Sequence, residues 1–244
     1  MSWRLHCGVV LLTVTVSAGV ARASSTPITR GNAAAVASAV DLRPSDLPGY
    51  RHKFFDPTAQ GLRDTAEIEK CEGGVPLSEA LLNAHSPTFN GPGVGGTPEV
   101  ASDVLVWPSA ALADRAFAAV PATRGISCFD ASFGAALRAK EPEGVSVTVH
   151  GAPLRSTVRG CDDTHADRII ATVHVEKPAT ELAPRRGATR LSDTVYIDQF
   201  GFVCGQVAVG FYVLAPTPSP SLERHIADLL VRRARRAAGL TATS

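Results

Sequence analysis

The sequence predicts an α+β fold: a two-layer domain with amphipathic helices packed on one face of an antiparallel sheet, closed by two disulfides. Three observations lead there. Segments of the second half alternate apolar and polar residues at the period of a half-buried strand. The C-terminus carries an apolar stripe at helical spacing, set between a capping residue and a glycine stop. Four cysteines, Cys71, Cys128, Cys161 and Cys204, follow an N-terminal segment with the marks of an export signal.

The elements follow in chain order. Arg4 is the one charge before the apolar run Cys7–Val20, and Ala21-Arg22-Ala23 supplies a small-x-small cleavage pattern. The run is shorter than the roughly 20 residues of a spanning helix. Residues 1–23 are therefore expected to be a signal peptide, 24–31 a flexible leader, 32–239 a single domain and 240–244 a tail. Asn32–Leu42 predicts a short helix with Asn32 as its cap, ending before Pro44. Leu47-Pro48-Gly49-Tyr50 reads as a turn. Leu77–Asn83, behind Pro76, reads as a second short helix, and Ser86–Pro98, dense in Gly and Pro, as a loop.

Val100–Trp107 is the first clear strand. Pro108 and Ser109 then start a helix over Ala110–Val120, and a further helix runs from Ser127 to Ala139. Strands are predicted over Val145–His150, Leu154–Arg159, Asp167–Glu176, Asp193–Phe200 and Phe202–Leu214, with a reversal at Gly201 between the last two. The final helix has Ser219 as cap, Pro220 in its first position and Glu223 in its first turn. Leu222, Ile226, Leu229 and Leu230 form its apolar stripe. Arg232, Arg233, Arg235 and Arg236 suit the negative end of its dipole, and Gly239 ends it.

Alternation sorts the strand residues by face. Val145, Val147 and Val149 oppose Ser146, Thr148 and His150. Ile169, Ala171, Val173 and Val175 oppose Ile170, Thr172 and His174. Val207, Val209, Phe211 and Val213 share one side of the last strand. Seating the helices on the apolar sets leaves a polar face with Thr148, His150, Thr172, His174, Tyr196, Gln206 and Tyr212. That face is the candidate ligand surface, its histidines able to change charge near neutral pH.

Several chemistries are excluded by motif. There is no G-x-S-x-G elbow, no H-E-x-x-H, no phosphate loop and no EF-hand loop. Gly91-Pro92-Gly93-Val94-Gly95-Gly96 has the letters of a dinucleotide fingerprint, but prolines flank it and a strand follows where a helix is required. Cys161-Asp162-Asp163-Thr164-His165-Ala166-Asp167 lacks the glycine and terminal Glu of calcium loops and reads as a polar turn pinned by a disulfide. No catalytic residue, metal or cofactor is expected. A net charge of +1 carries no concentrated positive field for nucleic acid, and no segment after the signal is long and apolar enough to hold a membrane. The absence of CxxC argues for two structural disulfides, with three connectivities open.

Cys71, then Val100-Ala101-Ser102-Asp103-Val104-Leu105-Val106-Trp107-Pro108-Ser109, then Ala113-Asp114-Arg115-Ala116-Phe117 and Cys128 precede paired strands, the last cysteine and a closing helix. In this arrangement the chain resembles the actinobacterial extracytoplasmic sensor-type domains, of which the PknH-like extracellular domain of receptor Ser/Thr kinases is the known example. The resemblance implies an α/β domain with a ligand cleft, bridges Cys71–Cys128 and Cys161–Cys204, and a secreted, non-enzymatic, sensor-like module of the cell envelope. Its partner would be a small molecule or lipid. The alternatives are an envelope protein-interaction module and an exported hydrolase with an unfamiliar site.

Overall fold

A computed structural model describes residues 27–54, 70–71, 73–93, 95, 97–118, 122–129, 131, 145–155, 158–177 and 189–240. The expected signal segment and most of the helix expected beyond Phe129 lie outside the described residues.

Among those residues the elements are α1 (Ala33–Val40), β1 (Arg51–Lys53), β2 (Leu82–His85), β3 (Thr88–Asn90), β4 (Glu99–Val106), α2 (Ala110–Ala118), α3 (Ala122–Phe129), β5 (Val145–Pro153), β6 (Asp163–Lys177), β7 (Thr189–Cys204), β8 (Val207–Ala215) and α4 (Pro220–Ala237). All eight strands join one sheet in the order β1-β3-β4-β8-β7-β6-β5, and β2 pairs with β4 beside β3. Every pairing is antiparallel. The α+β class is as the sequence predicts, and the two disulfides pair as the resemblance implies, Cys71–Cys128 and Cys161–Cys204.

Several expectations about elements change, among them the helix expected from Ser127, which begins at Ala122. Only Leu77–Glu79 of the predicted 77–83 helix is helical, as one 3₁₀ turn. Leu81 N–H then donates to the Val106 carbonyl, and β2 continues along that edge. The sheet edge offers more hydrogen bonds than a two-turn helix would make for itself. The loop predicted over Ser86–Pro98 contains β3. No strand forms over the described part of Leu154–Arg159, where Leu154 N–H makes one bond to the Ala166 carbonyl. Finally, the reversal predicted at Gly201 lies at Gly205, whose φ of 59° suits glycine in a tight hairpin.

Helices cover both faces of the sheet, and this is where the two-layer expectation needs extending. On the first face α1 and α4 bury Val100, Val104, Val106, Phe200, Phe202, Val209, Phe211 and Val213 with Ile226 and Leu230. On the second face α2 packs Ala113, Ala116 and Phe117 against Leu105, Trp107, Val203 and Ala208. There α3 also lies on β5 and β6, close enough that Ile126 occupies the space beside Gly151. Register explains the split. Ile169 pairs with Ile197 and Ile197 with Leu214, so the apolar set of β6 lies on the opposite face from Phe211 and Val213. The central strands β7 and β8 thus carry α4 on the first face and α2 on the second, while the apolar side of β5 and β6 meets α3.

The last helix is the anchor of the first face. Ile226 and Leu230 are fully buried, which stabilises its docking by about 1.5–3 kcal/mol per side chain. Its Arg233 guanidinium donates 2.7 and 2.8 Å bonds to the two Asp46 carboxylate oxygens and a 2.9 Å bond to the Asp41 carbonyl. Burial alone would raise the Asp46 carboxyl, but Arg233 and the Arg43 N–H outweigh it and hold the group below its ordinary range. At the same, C-terminal end Gly239, with φ 70°, closes the helix through its N–H to the Arg236 carbonyl. Ile28, within the stretch expected to be a leader, is buried in the same core.

Candidate ligand cavity on the sheet

Five of the predicted ligand-face residues do share a surface. Thr148, His150, Thr172, His174 and Tyr196 all lie on the first face, beyond the edge of α4. Thr148 pairs with Thr172 and Thr172 with Thr194, the latter two hydroxyls 3.3 Å apart. Thr148 and His150 are exposed; the other three are half-buried. Beside them the Tyr196 ring carries the Arg168 guanidinium 5.5 Å from its centroid. Arg168 in turn forks onto buried Asp198 at 2.6 and 2.7 Å.

The other two residues fall elsewhere. Gln206 sits in the β7–β8 turn, where its amide N–H donates to the carbonyls of Trp107 and Pro108 at 2.9 and 3.0 Å. It clasps the start of α2 to the sheet. Tyr212 lies on the second face, because it pairs with Gln199 and Ala101 rather than with the Phe211 row. Its hydroxyl donates to Glu99 Oε1 at 2.9 Å. Burial and the neighbouring Glu99 carboxylate push that phenol well above its usual range.

Tyr212 leads to a cavity that the sequence reading missed. One row of residues crosses the second face from strand to strand: His85 on β2, Asp103 on β4, Gly210 on β8, Gly201 on β7 and His165 on β6, each paired with the next. The two glycines have no side chain to fill the middle of the row. Strand spacing places Asp103 and His165 about 14 Å apart along the backbone, and both side chains lean inward over the gap. A Cβ on Gly201 would meet the His165 ring at 2.5 Å, and one on Gly210 would meet Asp103 Oδ2 at 2.6 Å. The result is a cavity of about 370 Å³ with a backbone floor, within the size range of small-molecule sites.

Its walls follow from the neighbouring rows. Toward α2 stand Leu105, Ala208 and Phe117; at the other end stand Gln199 and Tyr212. Phe117 packs on His165 with ring centroids 4.6 Å apart, and burial lowers the His165 pKa, favouring the neutral imidazole. Asp103 keeps 46% of its side-chain surface open, lining the cavity, and its nearest charge partner among the described residues is His85 at 4.0 Å. Crowding by protein raises its carboxyl pKa, offset only in part by His85. One row further, Asp167 is buried with its Oδ1 unpartnered, and burial lifts its pKa to about 6.

The signal for this cavity lies in the two glycines. Glycine inside a strand marks a close approach or a missing side chain, and Gly201 and Gly210 both sit inside alternating segments. His165 is not legible as a strand residue because 161–167 has the composition of a polar turn, whereas β6 begins at Asp163.

No family model matches the chain, and no curated protein matches it. The fold is similar to the crystal structure of the extracellular domain of PknH from Mycobacterium tuberculosis. Identity is 11% and the TM-score 0.39, over 86% of this chain and 98% of that chain. The likeness is a weak one at the level of fold, and no sequence-level family is shown.

Proposed function

We propose that this protein is an extracytoplasmic, non-enzymatic module that binds a small molecule in the cavity over Gly201 and Gly210. It would act as a sensor or carrier in the envelope. The carrying observation is the glycine floor flanked by Asp103 and His165: a hollow built into the middle of an ordered sheet, with polar groups converging from three sides. Two disulfides suit an oxidising compartment.

The test is native mass spectrometry of protein purified from its own host, compared with Gly210→Ala produced in the same way. A reproducible excess mass on the wild type that is lost from the variant is the expected result. An excess mass unchanged in Gly210→Ala places the ligand elsewhere, and the polar patch around Thr172 and Tyr196 then becomes the site to mutate. A clean protein mass in both favours a docking role toward an envelope partner.

A further inference from the structure

We propose that the ligand of this cavity is a small organic cation, a primary amine or related ammonium group, with Asp103 as its counter-ion. The inference rests on the cavity being the binding site and adds the ligand's chemical class.

Charge makes the first argument. No Lys or Arg stands among the described lining residues, so an anionic ligand would find no cation to meet it. Asp103 supplies a carboxylate whose nearest charged partner among the described residues is His85, at 4.0 Å. Acidic groups also gather around the Gln199–Tyr212 end. Glu99 accepts the Tyr212 hydroxyl, and Asp167 lies in the same cross-strand row as Gln199. The field inside the cavity is therefore negative, and a low-polarity wall strengthens it.

Shape makes the second. Gly210 is what leaves Asp103 reachable, since a side chain there would collide with the carboxylate oxygen. A compact ammonium head fits over the two glycines, where it can donate to Asp103 and to the Gln199 amide oxygen. The remainder of the ligand would then lie against Phe117, His165 and Leu105, an aromatic and aliphatic wall. Aromatic faces also attract cations. Tyr212, its hydroxyl already held by Glu99 and by Thr88, serves as a fixed rim rather than as a free donor.

The experiment uses the full, oxidised protein labelled with ¹⁵N and a series of primary amines from n-propylamine to benzylamine. Each amine is matched by its alcohol and its carboxylate. The readout is the shift of the Gly201 and Gly210 backbone amides on titration. The expected result is binding of amines at least about tenfold tighter than the matched alcohols, no response to carboxylates, and loss of the preference in Asp103→Asn. Alcohols or carboxylates binding as tightly, or Asp103→Asn binding amines like the wild type, would overturn the cation assignment and leave the cavity standing. Silence at both glycines from all three classes overturns both. The comparison among ligands uses the wild type alone, so it decides the matter even if Asp103→Asn does not fold.

Discussion

At the scale of single residues, what matters is where a side chain is missing or unpartnered. Gly201 reads in the sequence as a reversal because glycine is common in turns, yet its role is to leave room under His165. Gly210→Ala should therefore keep the fold while forcing Asp103 aside. The expected outcome is ligand affinity reduced about tenfold or more with little change in far-UV circular dichroism. Full affinity in that variant would mean the floor is not used. Asp167 supports a pH prediction. Burial raises its pKa from 3.8 to about 6 in the folded protein, so folding resists its ionisation. Its contribution is fully present below the ordinary carboxylate range and is lost as pH rises through about 6. Asp167→Asn should match the wild type near pH 4 and exceed it by up to about 3 kcal/mol above pH 7. Urea unfolding at the two pH values checks this; parallel curves at both would refute it.

At the scale of elements, local pattern and tertiary demand agree where an element carries its own start, stripe and stop. The helix Pro220–Ala237 is legible to within a residue or two because Pro220, the Ile226–Leu230 stripe and Gly239 all point the same way. β2 (Leu82–His85) is not legible as a strand, because what makes it one is the free edge of β4 that it pairs with. Leu230→Ala should cost about 2–5 kcal/mol in unfolding free energy, and a loss below 1 kcal/mol would show that α4 is not held by its stripe. The start of this helix has a pH response of its own. Glu223 is buried beside Asp198 and accepts the Ser219 N–H at 3.0 Å. Burial first, then the Asp198 carboxylate, raise its pKa to about 7. The stability it contributes is present below pH 4.5 and declines as pH rises through 7. Glu223→Gln keeps the acceptor and removes the charge, so the protection factors of the first turns of α4, taken relative to the intrinsic base-catalysed exchange rate, should no longer fall between pH 5 and 8. Unaltered pH dependence would reject that role.

At the scale of the whole molecule, two covalent ties bracket two layers of helices. Cys161–Cys204 joins the start of β6 to the end of β7, with Cys204 fully buried. Replacing both with Ala should lower stability by about 2–4 kcal/mol and leave the cavity's ligand preference intact, as measured by thermal unfolding and the same titration. A loss of binding without a loss of stability would show that the bridge positions His165. The sequence by itself determined the α+β class, the alternating strands, the amphipathic closing helix and the presence of two bridges. Each of these follows from local spacing and from cysteine chemistry. Tertiary structure alone decided which face each strand shows, and so where a ligand can sit. Alternation assigns the residues of one strand to two sides, but only cross-strand register says which side of the next strand continues them. Tyr212 and Thr172 look equivalent in the sequence and lie on opposite faces, while Asp103 and His165, 62 residues apart in the numbering, meet across two glycines because register puts all four in one row.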